Sequence, residues 1–405
     1  MISSHDVIVV GAGPAGSAAA HFLAKQGIDV LLLDKAQFPR DKTCGDGLTP
    51  RALGVLKDMG ILERVEKIGN RLNGIELNVG NGYSMAAPIP KKDNLPNHIV
   101  IAPRLELDNI IRQAAIDSGA KFKGNTRVTA IEQDEHGAEV TASLGQTKVR
   151  FKAKIIIMAI GANIRLLTQM GILKKPPTMI LAARGYYDGL QGLSDYVQAH
   201  FDGVPLPGYG WIFPISDSIA NIGVGFWKPF LPWQKPPVSA AIAIKEFLAS
   251  PVMLPIMNGA KAISPIKGYP LRIDFATAPT YHNRILLVGE TAGLVSPRTG
   301  EGIDFALESG KLAAQFLEKA FVVGDFSASY LSGYDKLLRD HFQRLFVFLS
   351  FIRRLYVNPI LIRRFVWAAE RNPELKDVFV KIIMSEADAA RVINLNTMRR
   401  IVFGR

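Results

Sequence analysis

The chain has 405 residues, is 48% hydrophobic and 21% charged, and carries a formal net charge of +12 with a single cysteine. That length exceeds the roughly 250–300 residues at which one core stops growing, so two domains are expected, and the moderate charge argues against disorder. The lone Cys44 excludes an internal disulfide and fits a reducing cytoplasm, and the seven scattered histidines show no metal-ligand spacing, so no metal is expected.

In chain order, residues 6–10 read as an apolar strand. No basic start or cleavable apolar stretch precedes it, so no signal peptide is expected. A glycine turn at 11–16, a helix at 17–26 and a second strand at 29–33 follow, a βαβ pattern that predicts a parallel, helix-covered sheet. A second α/β passage has a helix over 104–118 and a strand over 121–129. Residues 139–144 and 147–160 alternate as a hairpin and a buried strand.

From about 165 to 280 the texture changes. Prolines cluster, aromatics thicken, and short alternating stretches such as 179–187 and 219–226 fit an antiparallel sheet better than βαβ units. Residues 284–289 form another apolar strand, 302–320 a helix returning to the first domain, and the remaining tail is helical with a break at Asn358-Pro359.

The expected fold class is α/β plus α+β: a Rossmann-like dinucleotide-binding domain, a second antiparallel-sheet substrate domain and a C-terminal helical tail. The boundaries are drawn at 1–75, 98–165 and 281–335 for the first domain, 76–97 and 166–280 for the second, and 336–405 for the tail. No run of about 18 uncharged apolar residues occurs, so no membrane-spanning helix is expected.

Gly11-Ala12-Gly13-Pro14-Ala15-Gly16 matches G-x-G-x-x-G between a strand and a helix. The first glycine permits a tight turn, the second lets backbone approach a pyrophosphate, and the third lets helix pack on strand. Helix N-terminal amides favour the phosphates. Asp34 closes the second strand 18 residues after Gly16, where an acid can accept from ribose hydroxyls.

Val288-Gly289-Glu290-Thr291-Ala292-Gly293 resembles the second FAD fingerprint of flavoprotein hydroxylases and their relatives, with Glu290 in place of the usual aspartate. The resemblance implies that Glu290 meets ribityl or ribose hydroxyls and that Gly289 lets backbone lie against FAD. It also implies that the amides of Pro297-Arg298-Thr299-Gly300-Glu301-Gly302-Ile303 face the pyrimidine edge. Pro297, Gly300, Gly302 and Ile303 therefore join the cofactor residues, as do Lys35 and Val128. The Asp-Gly pair usual after the strand at 155–159 is Ile160-Gly161 here, which weakens a hydroxylase-like NADPH site.

Three further segments resemble the geranylgeranyl reductase family, closest to its bacterial prenyl-lipid and menaquinone-type members. They are the cysteine-glycine loop from Phe38 to Pro50, the helix start Ala102-Pro103-Arg104, and Gly208-Tyr209-Gly210-Trp211-Ile212-Phe213-Pro214 followed by Asn221-Ile222-Gly223. The resemblance implies an FAD-dependent oxidoreductase that saturates isolated double bonds of a prenyl chain. Cys44 and Gly45 then lie beside the flavin ring, Arg104 joins the cofactor site, and Tyr209, Trp211 and Phe213 line the substrate pocket. Cys44 can supply a proton or position the substrate, and with Tyr209 and Trp211 it makes the candidate catalytic set. Alternation places the three aromatics on one strand face, where an ordinary sheet core is the competing reading. The electron donor stays open between reduced ferredoxin, a quinol and NAD(P)H. Rival functions are a flavin-dependent monooxygenase or halogenase of the same fold, a carotenoid cyclase-like isomerase without net redox change, and an FAD-binding lipid carrier.

Residues 339–405 hold 13 Lys/Arg against 6 Asp/Glu. Phe342, Leu345, Phe346, Leu349, Ile352, Leu355 and Tyr356 form an apolar stripe beside Arg353-Arg354, with Arg363-Arg364 further on. That pattern reads as an interfacial helix on an anionic membrane or as a helix capping the substrate domain's core. The first reading makes the protein cytoplasmic and peripherally membrane-associated. No nucleic-acid-binding module is recognisable.

Overall fold

Unbroken runs of branched apolar residues make the central strands. Val7, Ile8 and Val9, then Val30 to Leu33, then Ile155 to Ile157 are completely buried, as strands covered on both faces require. The computed structural model describes residues 3–80, 82–92, 94–227, 239–353 and 359–384.

Ser3–Val10 lies at the centre of the first sheet, parallel to Thr147–Met158 on one side and to Val30–Leu33 on the other. Lys121–Lys123 extends the sheet beyond Val30–Leu33, and Ile285–Leu287 extends it beyond Thr147–Met158, both parallel. The sheet therefore reverses direction of growth between Ser3–Val10 and Thr147–Met158, and a crevice for ligand opens at the carboxyl ends of such strands.

The pattern over 121–129 predicts one strand, and the structure divides it. Asn125 adopts φ +52 and turns the chain, so Lys121–Lys123 stays in the parallel sheet. Thr126–Gln133 instead pairs antiparallel with Ala138–Leu144.

The helix Pro14–Lys25 packs against the long helix Ile303–Val323 through small residues. A Cβ on Gly310 would stand 2.4 Å from the Ala15 carbonyl oxygen, so this approach requires glycine. The helices Pro50–Asp58 and Arg104–Asp117 complete the face with a three-stranded sheet of Gly47–Leu48, Ile99–Ile101 and Asn70–Leu72.

The second sheet runs through Met179–Asp188, Ala220–Trp227, Gly208–Pro214, Tyr196–His200, Gly74–Asn78 and Ser84–Pro88. Lys267–Arg272 pairs with Met179–Asp188 on its free side, and among the described residues every pairing in this sheet is antiparallel except that of Tyr196–His200 with Gly74–Asn78. Helix Ala240–Leu248 buries Ala243, Ile244 and Phe247 against this sheet. Helices Pro359–Arg371 and Pro373–Ile383 share a core with Ile75, Leu77 and Met85.

Both readings of the tail stripe, interfacial and capping the substrate domain, are corrected. Phe342, Leu345, Phe346, Leu349 and Ile352 are buried. Phe346 meets Phe275 and Phe305 edge-on, with ring centres 5.0 Å away in each case, so the stripe belongs to the core of the first sheet. Aromatic pairs of this kind contribute about 0.5–1.5 kcal/mol each beyond the area they bury. Arg354, Leu355, Tyr356 and Asn358 lie outside the described residues.

Candidate functional site

The crevice at the strand ends opens into a cavity of about 560 Å³ that continues under the second sheet. Gly11, Gly13, Pro14 and Ala15 line one end, with Asp34, Lys35 and Val128. Tyr209, Trp211 and Phe213 line the other, beside Ile75, Leu77 and Met384. Cys44, Gly45, Arg104, Glu290, Gly300, Gly302 and Ile303 lie along the same wall. Gly16, Gly289 and Pro297 do not line it.

The three glycines of the turn do different things. Gly11 adopts φ +108, and a Cβ there would fall 2.2 Å from the Ala159 carbonyl oxygen. A Cβ on Gly16 would fall 1.9 Å from the Gly11 carbonyl oxygen, so helix and strand could not pack. Gly13 has no such constraint, because the nearest atom to its Cβ would be Arg40 Nη2 at 3.6 Å. Protein packing leaves that backbone bare toward the cavity, as a pyrophosphate lying on it requires. The turn therefore fits a dinucleotide.

Asp34 is tied to the turn it serves. Its Oδ2 accepts from the Ala12 amide at 2.8 Å and its Oδ1 from the Ala36 amide at 2.8 Å. Each oxygen keeps a lone pair for a hydroxyl. Glu290 is buried and accepts from the Arg272 amide at 3.1 Å and the Tyr269 hydroxyl at 3.4 Å. Burial holds its carboxyl above the ordinary carboxylate range, with Lys42 opposing. Gly161, at φ +65, lies under this pair, since a Cβ would stand 3.1 Å from the Tyr269 oxygen.

Arg104 makes a two-pronged pair with Asp108, at 2.6 and 2.8 Å, and Arg40 approaches the same carboxylate at 2.9 Å. The guanidinium also meets the Cys44 side chain. Along the aromatic strand, Tyr209, Trp211 and Phe213 stand on one face with successive ring centres 6.1 Å apart. The Tyr209 hydroxyl donates to the Thr299 carbonyl, and Trp211 Nε1 donates to Asn221 Oδ1 at 3.0 Å. A Cβ on Gly45 would stand 2.9 Å from Phe213, so the cysteine loop is pressed onto the aromatic strand.

Several groups at the site carry no role in the sequence reading. Lys42 Nζ stands 3.2 Å from the centre of the Tyr269 ring, and burial pulls its pKa down to about 8. Asp46 is a buried residue of the cavity lining, and burial pushes its carboxyl up to about 6. Both flank Cys44, so the motif itself was a signal. Arg184 and Tyr269 reach the site from the second sheet, with nothing nearby in sequence to mark them. Arg184 pairs with Asp41 at 2.7 Å.

Comparison with known proteins agrees with this geometry. Residues 4–182 match a family model described as an FAD binding domain. The chain is 33% identical over 395 residues to a menaquinone reductase of Mycolicibacterium smegmatis, covering 93% of this chain and 91% of that one. It is 30% identical over 350 residues to digeranylgeranylglycerophospholipid reductase 1 of Methanothermobacter thermautotrophicus, covering 84% and 83%. Among solved structures, a geranylgeranyl bacteriochlorophyll reductase-like protein from Thermoplasma acidophilum superposes with a TM-score of 0.80 at 21% identity, covering 99% and 96%. That last likeness is one of fold.

Proposed function

Because this chain belongs to the geranylgeranyl reductase family of FAD-dependent oxidoreductases, we propose that it saturates isolated double bonds of a prenyl chain, carried by an isoprenoid quinone or a geranylgeranyl lipid. One observation carries the reading: the bare-backbone turn at Gly13 and the aromatic face of Tyr209, Trp211 and Phe213 line a single cavity. A dinucleotide seated at one end would bring its reactive ring toward an apolar pocket.

Bound and reduced FAD supplies the hydride equivalent. The chain supplies the rest. Gly11, Gly13, Pro14 and Ala15 would hold the pyrophosphate, Asp34 and Glu290 would accept from the sugar hydroxyls, and Gly300, Gly302 and Ile303 would meet the ring edge. An isolated alkene has no carbonyl to polarise, so acceleration rests on orientation, which contributes roughly 7–11 kcal/mol in favourable cases. Tyr209 and Trp211 provide flat, stiff walls for that purpose, and Cys44, backed by Arg104, closes the junction between the two ends. Excluding water keeps the reduced cofactor from side reactions.

Among the described residues no helix is long and apolar enough to cross a membrane. A prenyl chain dissolved in a bilayer gains almost nothing by entering an apolar cavity, so it must be collected at the membrane surface. We assign that contact to the exposed Ile360 and Leu361, whose helix also carries Arg363 and Arg364 and packs beside the apolar end of the cavity.

The test is anaerobic incubation of the FAD-loaded protein, chemically reduced, with a menaquinone and with a geranylgeranyl lipid, followed by mass spectrometry. A gain of two hydrogens per double bond is expected. An isomer of unchanged mass, or turnover only with oxygen, would overturn the proposal.

A further inference from the structure

The cysteine loop holds one group the mechanism above leaves unused. Asp46 is completely buried, and its backbone sits at φ +66, a region non-glycine residues rarely adopt. Its Oδ2 accepts from the Tyr186 hydroxyl at 2.5 Å and from Asn221 Nδ2 at 2.8 Å. Its Oδ1 has no hydrogen-bond partner, although leaving a buried acceptor unmet is unfavourable.

The surrounding bonds determine where a proton on this carboxyl must sit. Trp211 Nε1 can only donate, so the amide oxygen of Asn221 faces it and the amide nitrogen faces Asp46. The same nitrogen donates to the Cys44 carbonyl at 2.8 Å. Oδ2 is therefore occupied as an acceptor from two sides, and the neutral acid carries its hydrogen on Oδ1. Asp46 lines the cavity beside Cys44, Gly45, Trp211 and Phe213, where the cysteine loop meets the aromatic strand.

Resting on the prenyl-reduction reading, we propose that Asp46 is the acid that protonates the alkene. The O–H bond at Oδ1 breaks as a C–H bond forms at one alkene carbon, while the other carbon receives the hydride equivalent from reduced flavin. Tyr186 and Asn221 then hold the carboxylate, which takes a proton back from water once the saturated product has left. This makes the orphaned oxygen the working one, and it leaves Cys44 and Arg104 as positioning groups.

Electrostatics agree with the assignment. Burial raises the carboxyl to about 6, against the lowering effects of Tyr186, Asn221, Arg104 and Arg184. Asp41, on the same loop, is paired with Arg184, and the Cys44 thiol is held by Arg104. The acid is thus poised near neutrality, and an apolar chain entering the cavity raises it further by excluding water.

Asp46→Asn can keep both bonds to its carbonyl oxygen while removing the acid. In the oxidised FAD-loaded protein, infrared titration is expected to show a buried carboxyl near pH 6 that Asp46→Asn lacks. With reduced enzyme and prenyl lipid, wild-type kcat falls as pH rises through a value above that one, because the bound chain raises the carboxyl further. Asp46→Asn is expected to lower kcat at least roughly 100-fold with KM and FAD affinity unchanged, and to lose that alkaline limb. Tyr186→Phe removes a bond that favours the carboxylate, so its limb moves up by roughly one pH unit with maximal kcat retained. Cys44→Ala keeps the limb where it is. An Asp46→Asn protein within threefold of wild type, an unmoved limb in Tyr186→Phe, or no titrating carboxyl overturns the assignment. A wild-type protein that saturates no prenyl lipid defeats the reading beneath it instead.

Discussion

Lys42 Nζ stands 3.2 Å from the centre of the Tyr269 ring, and Tyr269 in turn donates to Glu290. The ammonium is therefore desolvated between an aromatic face and a buried carboxyl, and burial is the largest cause of its fall from 10.5 to about 8. Between those two values the unfolded chain holds a proton that the folded chain has lost. Unfolding free energy contributed by this group accordingly rises with pH across that window. Lys42→Met should be more stable relative to wild type at pH 7.5 than at pH 10, as read from urea midpoints of the two proteins. A stability difference that stays constant over this range would contradict the desolvated state.

Gly13 and Gly16 separate ligand demands from packing demands. Gly13→Ala should fold with a melting temperature close to wild type, because only Arg40 lies within 4 Å of the new Cβ. Its FAD affinity should fall by roughly 100-fold or more, as the backbone can no longer approach the pyrophosphate. Gly16→Val should fail to fold, with a Cβ 1.9 Å from the Gly11 carbonyl oxygen. Fluorescence titration with FAD and thermal melts of both variants measure the contrast.

The tail offers a similar pair. Phe346→Ala should lower unfolding stability by about 3–5 kcal/mol, since it empties a site between Phe275 and Phe305. Ile360 is 69% exposed, so Ile360→Asp should leave stability within about 0.5 kcal/mol of wild type. It should also weaken flotation with vesicles containing anionic lipid. Unchanged flotation would remove the membrane contact assigned to this helix.

The legible parts of this molecule are those whose physics is local. A glycine turn between an apolar strand and a small-residue helix, with Asp34 at the end of the next strand, announces itself within 30 residues of chain. The aromatic strand does too, because alternation alone puts Tyr209, Trp211 and Phe213 on one face. What escaped is set by distant partners. Tyr186 reaches Asp46 across 140 residues of sequence, and Lys42 meets a ring on a strand of the other sheet. The stripe from Phe342 to Ile352 has the same spacing whether it faces lipid or protein, and only Phe275 and Phe305, contributed from elsewhere, decide the matter. The split at Asn125 was hidden because asparagine tolerates the left-handed turn without announcing it.

The far end of the cavity should set which chains fit. Ile383 and Met384, at the end of the last described helix, line the cavity together with Ile75, Leu77 and Val197. A prenyl chain whose reacting bond lies at the junction near Cys44 must lay its remaining units along this apolar stretch. Met384 is 6% exposed, so its side chain already faces protein rather than water, and a bulkier residue there shortens the cavity. Met384→Trp should therefore raise KM for a twenty-carbon prenyl lipid by roughly tenfold, since forcing the distal units against the larger side chain costs about 1–3 kcal/mol, while a ten-carbon analogue is turned over as before. Steady-state kinetics with the two chain lengths separate this from general damage, which would depress both. Equal losses on both substrates would show that the distal units leave the cavity before reaching this helix.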